Sequence, residues 1–123
     1  KSLLNANDGL LRQFDIAIAC TVEYAAYHWT AAGLTQLDTE AAKKAAVLAA
    51  MVVTLNTVNL IYERELSLTM TLIANNEDII FIDSDDYTNN SGGTMLNENQ
   101  TTIDAAIGSA NYDIGHVFST GGG

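Results

Sequence analysis

Apolar residues recur at three- and four-residue steps through the middle of the chain. Leu48, Met51, Val52, Leu55, Val58, Tyr62 and Leu66 follow this period, which marks a helix with one buried face. Lys44, Asn56, Thr57, Glu63 and Arg64 fall mostly elsewhere on the wheel. The spacing predicts one long helix over residues 38–66. Asp38 is its expected N-cap, because its carboxylate can accept from the N–H groups of the first turn. Alanines at 41, 42, 45, 46, 49 and 50 favour the helix and allow close packing. Such a rod is about 40 Å long and needs a sheet or other helices against its apolar side.

The flanking segments alternate, as strands do. In residues 13–21, Phe14, Ile16, Ile18 and Cys20 point one way, and Asp15, Ala17 and Ala19 the other. The small residues on the second face suit a strand covered by a helix. Residues 67–75 place Leu68, Met70, Leu72 and Ala74 on one side. Residues 111–120 set Tyr112, Ile114, His116 and Phe118 against Asp113, Gly115 and Val117. Helical period returns over residues 94–107 through Leu96, Ile103 and Ile107, with Thr94 as cap and Gly108 as stop. Residues 22–37 are ambiguous: Tyr24, Tyr27 and His28 fit a short helical turn, with Gly33 as breaker. Residues 75–78 read as a turn, 79–82 as a short extended piece and 83–93 as a loop. Leu3, Leu4, Leu10 and Leu11 are expected to tuck against the body.

The order strand, helix, strand, helix, strand predicts an α/β fold. A mostly parallel twisted sheet of about three strands carries two helices, in a single domain over residues 1–123. Hydrophobic residues make up 48% of the chain, enough for a core. The net charge is −10, from 15 acidic and 5 basic residues. That balance argues against nucleic acid or an anionic membrane as partner, since both reward Lys and Arg. No apolar run reads as long enough to span a membrane.

Candidate chemistry narrows quickly. The turn Cys20-Thr21-Val22-Glu23 after the first strand has no glycine to admit a phosphate and carries a carboxylate that repels one. No Walker-type motif occurs. Asp83, Asp85 and Asp86 lack the Gly and Glu positions of an EF-hand, so they read as a solvated acidic turn. His28 and His116 share no ligand spacing, and no HExxH occurs. Both read as structural, His28 within an aromatic cluster. Cys20 is the single cysteine and reads as a buried small hydrophobe, with pairing to a cysteine outside the segment as the alternative. It sits in a strand and not at a helix start, which would lower its pKa. On residue chemistry alone the segment holds no complete active site: no catalytic, cofactor-binding or metal-binding residue is assigned.

The wording of four stretches says more. Phe14 to His28 (FDIAIACTVEYAAYH), Asn56 to Phe81 (NTVNLIYERELSLTMTLIANNEDIIF), Gly92 to Asp104 (GGTMLNENQTTID) and Gly108 to Gly123 (GSANYDIGHVFSTGGG) resemble, in order, the bacterial reprolysin-like zinc metallopeptidases of the metzincin clan. The resemblance implies a metzincin N-terminal subdomain, with residues 13–21, 67–75 and 112–120 as its first three strands. It implies a secreted or cell-surface parent in which zinc polarises the scissile carbonyl and a Glu activates water. The family's HExxHxxGxxH has no counterpart here, so its ligands and general base are expected beyond residue 123. The chain is therefore expected to be an inactive scaffold portion that itself takes no zinc. Its expected partner is the remainder of the catalytic domain, or another copy, at the exposed edge of the third strand. Peptide substrate belongs to the full-length parent. The alternative is a non-enzymatic surface or structural module that reuses the fold.

Overall fold

The computed structural model describes residues 8–122. The fold is α/β. Strand β1 (Arg12–Cys20) is followed by helix α1 (Val22–Ala31), helix α2 (Glu40–Leu66) and strand β2 (Leu68–Leu72). A short 3-10 turn (Asn76–Ile79) and a loop lead to helix α3 (Gly92–Ala106), a second 3-10 turn (Ser109–Asn111) and strand β3 (Ile114–Phe118). The three strands form one parallel sheet in the order β2-β1-β3.

The alternation in β1 sorts two cores. Ile16, Ile18 and Cys20 join Ala25 and Trp29 of α1 and Val47, Met51 and Leu55 of α2 on one face. Ala17 and Ala19 meet Ile79, Ile103 and Ile107 on the other. The alanines are small enough for α3 to lie close to the sheet. Helices thus cover both faces, and residues 16–21 are buried throughout.

Three helices stand where two are expected. Residues 22–31, left open by the sequence, form α1, capped by the Thr21 hydroxyl on Tyr24 N–H. Gly33 follows it at φ +85°, in its expected place as breaker. The long helix begins at Glu40 behind Thr39, whose hydroxyl accepts from Ala42 N–H. Asp38 is thus not the cap. Its carboxylate turns back to accept from Thr35 N–H at 2.7 Å and Thr35 Oγ1 at 3.0 Å, closing the loop before the helix. Helix α3 likewise starts two residues before Thr94, and Gly108 ends it at φ +88°. Tyr112 sits on the α3 side, not beside Ile114, because the turn at Ser109–Asn111 precedes the strand; its hydroxyl donates to Asp104 Oδ1 at 2.7 Å.

The buried stripe of α2 is Lys43, Val47, Met51 and Leu55. Leu48 and Val58 pack at its margin, but Val52, Tyr62 and Leu66 are exposed. Full burial follows a four-residue step and ends at Leu55. Lys43 is buried with its Nζ 4.9 Å from the centre of the Trp29 ring, a cation–π contact that helps offset its burial. By length and composition α2 also passes for a membrane-crossing helix, contrary to the sequence expectation: it has 27 residues and a window of mean hydropathy 1.8, of which 17% is buried. Its alanines raise the hydropathy without forming an unbroken bulky run. Leu10 and Leu11 remain exposed and do not tuck in; Leu3 and Leu4 lie outside the described residues.

Two asparagines complete the backbone pairing. Strand β2 ends at Leu72, and Ile73 N–H still reaches Ile16 O at 3.1 Å. The buried Asn76 side chain then takes both groups of Ile18: Oδ1 accepts from its N–H at 2.8 Å, and Nδ2 donates to its carbonyl at 2.9 Å. Ile80 resumes the pairing with a bridge to Cys20. On the outer side of β2, Asn59 of α2 does the same for Met70, at 2.8 and 2.9 Å. Asn76→Ala strands a buried donor and a buried acceptor, so we expect a loss of about 2–5 kcal/mol. Urea unfolding measures it; a loss below about 0.5 kcal/mol would show that the amide is dispensable.

Candidate functional site

The strand order reverses at β1, so a crevice is expected outside the carboxyl ends of β1 and β3, where open α/β sheets usually bind ligands. Here the chain fills that place itself. Asp85 Oδ2 accepts from Val22 N–H at 2.6 Å, at the start of α1, and its Oδ1 accepts from Tyr87 N–H at 2.8 Å. A carboxylate thus occupies the helix N-terminus that a phosphate would need. Asn89 Oδ1 accepts from the Thr21 hydroxyl at 2.9 Å and from Thr120 N–H at 3.2 Å. The acidic loop is therefore partly structural: Asp83 and Asp86 are exposed, whereas Asp85 is spent on backbone. An open cavity of about 610 Å³ lies beside it, lined by Asp78, Asp85, Asp86 and Thr102 among others.

The two histidines lie at the ends of one aromatic row. His28 packs at a tilt against Tyr24 (4.4 Å between centroids) and Tyr24 against Phe118 (5.3 Å), while Phe118 meets His116 edge to face (5.2 Å). Two rings stand between them, so they do not converge on one ion. Crowding by apolar neighbours pushes both imidazoles below the usual histidine range, although His116 keeps part of its surface in water. Cys20 is fully buried, and burial pushes its thiol up to about 12. It is a core residue without nucleophilic character. Among the described residues no three His, Cys, Asp or Glu side chains are grouped to hold a metal ion.

Comparison with known families supplies what the side chains do not. The metallo-peptidase family M12B, reprolysin-like, matches residues 48–123. The chain belongs to the reprolysin-like M12B metallopeptidases. The matched span takes in most of α2, all of β2, α3 and β3, and three of the four stretches that carry the resemblance; the stretch from Phe14 to His28 lies before it. No curated protein and no solved structure matches the chain. The family is zinc-dependent. The residues of this reprolysin-like chain do not fit that metal: its two histidines are separated by aromatic rings, and its one thiol is sealed in the core.

What the reprolysin-like chain does present is an edge and a groove. At the outer edge of β2 Asn59 pairs both backbone groups of Met70, but among the described residues nothing pairs with the outer edge of β3. Phe118 O faces β1, accepting from Thr21 N–H, so by alternation within the strand Gly115 and Val117 direct their backbone groups outward. Beside that edge runs a groove of about 360 Å³ with no charged lining residue, bounded by Leu55, Val58, Tyr62, Ile114, His116 and Phe118. Sequence reasoning expected the open edge. It missed the groove, because Tyr62 was assigned to the buried stripe of α2.

The lowered folded pKa of His116 sets a pH dependence. The unfolded chain binds the proton more readily, so this contribution to stability is full above the usual histidine value and is lost as pH falls toward the folded value. His116→Gln should therefore flatten the decline in melting temperature between about pH 7 and pH 5. An unchanged slope would show that His116 does not couple to folding.

Proposed function

We propose that these residues form the scaffold of the catalytic domain of a secreted, bacterial zinc metalloendopeptidase, with the zinc ligands and the general-base carboxylate supplied by chain outside residues 1–123. The observation that carries this reading is the family match over residues 48–123 in a sequence that contains no HExxH. In such an enzyme the metal supplies Lewis-acid activation of the scissile carbonyl. This chain's own contribution is mechanical. Its sheet, packed by helices on both faces, holds the β3 edge and the apolar groove in fixed relation.

The partner of that edge is the remainder of the catalytic domain, and in its absence another copy of the chain. Two features support this. Asn59 occupies the middle of one edge of the sheet at Met70, whereas the β3 edge has no such partner among the described residues, and an open edge is a template for pairing. The adjoining groove is apolar and uncharged, so covering it needs no buried charge pairing.

The purified 123-residue chain should bind zinc with far less than one equivalent by calorimetry and leave casein uncut. Light scattering should show association that rises with concentration. Stoichiometric zinc with proteolysis would overturn the scaffold reading; a monomer at every concentration would remove the edge as the pairing site.

A further inference from the structure

The chain leaving β3 does not run into solvent. It turns onto the start of α3. Ser91 provides no side-chain cap there, and the Gly92 N–H instead donates to Gly122 O at 3.0 Å. A helix start needs such acceptors, because its first N–H groups have no partner within the helix. The approach is backbone against backbone. A Cβ on Gly92 would collide with the Gly122 carbonyl oxygen, and one on Gly121 with Asn90 Oδ1. One on Gly122 would lie 2.7 Å from Gly92 N and 2.9 Å from Ser91 N, and Gly122 also holds φ +84°. Gly93, one position along the same helix, has open space at its Cβ.

We propose that Gly92, Gly121 and Gly122 form a glycine lock that straps the exit of β3 to the first turn of α3. Asn89 extends the lock. Its side chain holds Thr120 through Nδ2 at 3.0 Å and Oδ1 at 3.2 Å, and its Oδ1 also accepts from Thr21, the cap of α1. Ser119 Oγ donates to Gly121 O at 2.7 Å and tightens the turn. Four pieces meet here: the starts of α1 and α3, the acidic loop and the exit of β3. The strap fixes the direction in which the chain passes away from the open edge. It rests on contacts within this chain and stands whether or not the chain serves a peptidase.

Ordinarily Gly→Ala within a helix stabilises, because alanine restricts the unfolded chain. The lock reverses that sign at one position. Gly93→Ala should leave the melting temperature unchanged or raised. Gly92→Ala should lower it by about 4 °C or more and speed exchange of the residue 92 amide about tenfold. Removing residues 121–123 takes away the obstacle, so in that shortened chain Gly92→Ala should behave like Gly93→Ala. Should Gly92→Ala fail to fold in the whole chain, recovery in the shortened chain supports the lock. The proposal is overturned by equal shifts for the two variants in the whole chain, or by a Gly92→Ala defect that persists after shortening.

Discussion

Every backbone group of the central strand must find a partner away from water. Residues 16–21 are buried, so an orphaned N–H or carbonyl there costs about 1–3 kcal/mol. The neighbouring strand β2 is too short to serve the whole length of β1. A single amide, Asn76, makes up the difference by holding both groups of Ile18. It also donates to the Met51 sulfur at 3.7 Å, which ties the arrangement to α2. The rest of the molecule depends on that junction. It lets the chain turn aside after Ile73 and return to the same side of β1 at Ile80 with the pairing carried through.

The same device, used again, gives the sheet its asymmetry. From α2, Asn59 pairs Met70 at the outer edge of β2, as Asn76 pairs Ile18 beyond the strand's inner end. At β3 no such side chain is present among the described residues, and an apolar groove and an aromatic row run beside the open edge. Three titratable side chains serve the fold itself. Cys20 is sealed, Asp85 caps α1, and Asp104 is held below the usual carboxylate range by bonds from Tyr112 and Gln100.

The sheet was legible in the sequence because one residue-by-residue alternation, Ile16 to Cys20, assigns both cores at once. The alanines at 17 and 19 even announced the helix on the far face. Helix α1 was not legible by periodicity: Tyr24, Tyr27, His28 and Trp29 point in several directions because they serve a surface row and a core together. Its cap was nonetheless present, in Thr21 followed by Glu23 in the first turn. Asn59 and Asn76 gave no signal, since a polar residue in a helix or a turn is ordinarily solvated. Only the pairing geometry shows that they replace strand residues. The absence of a zinc motif could be read directly, and the family could be read from wording that periodicity does not contain.

Residue-resolved hydrogen exchange of the dilute chain tests most directly whether asparagine side chains guard the β2 side of the sheet while the β3 edge stays open. Slow exchange is expected at Ile18 and Met70, whose amides are held by asparagine side chains. Fast exchange is expected at Gly115 and Val117, with protection appearing there as concentration rises. Strong, concentration-independent protection at Gly115 and Val117, or rapid exchange at Met70, would contradict this arrangement.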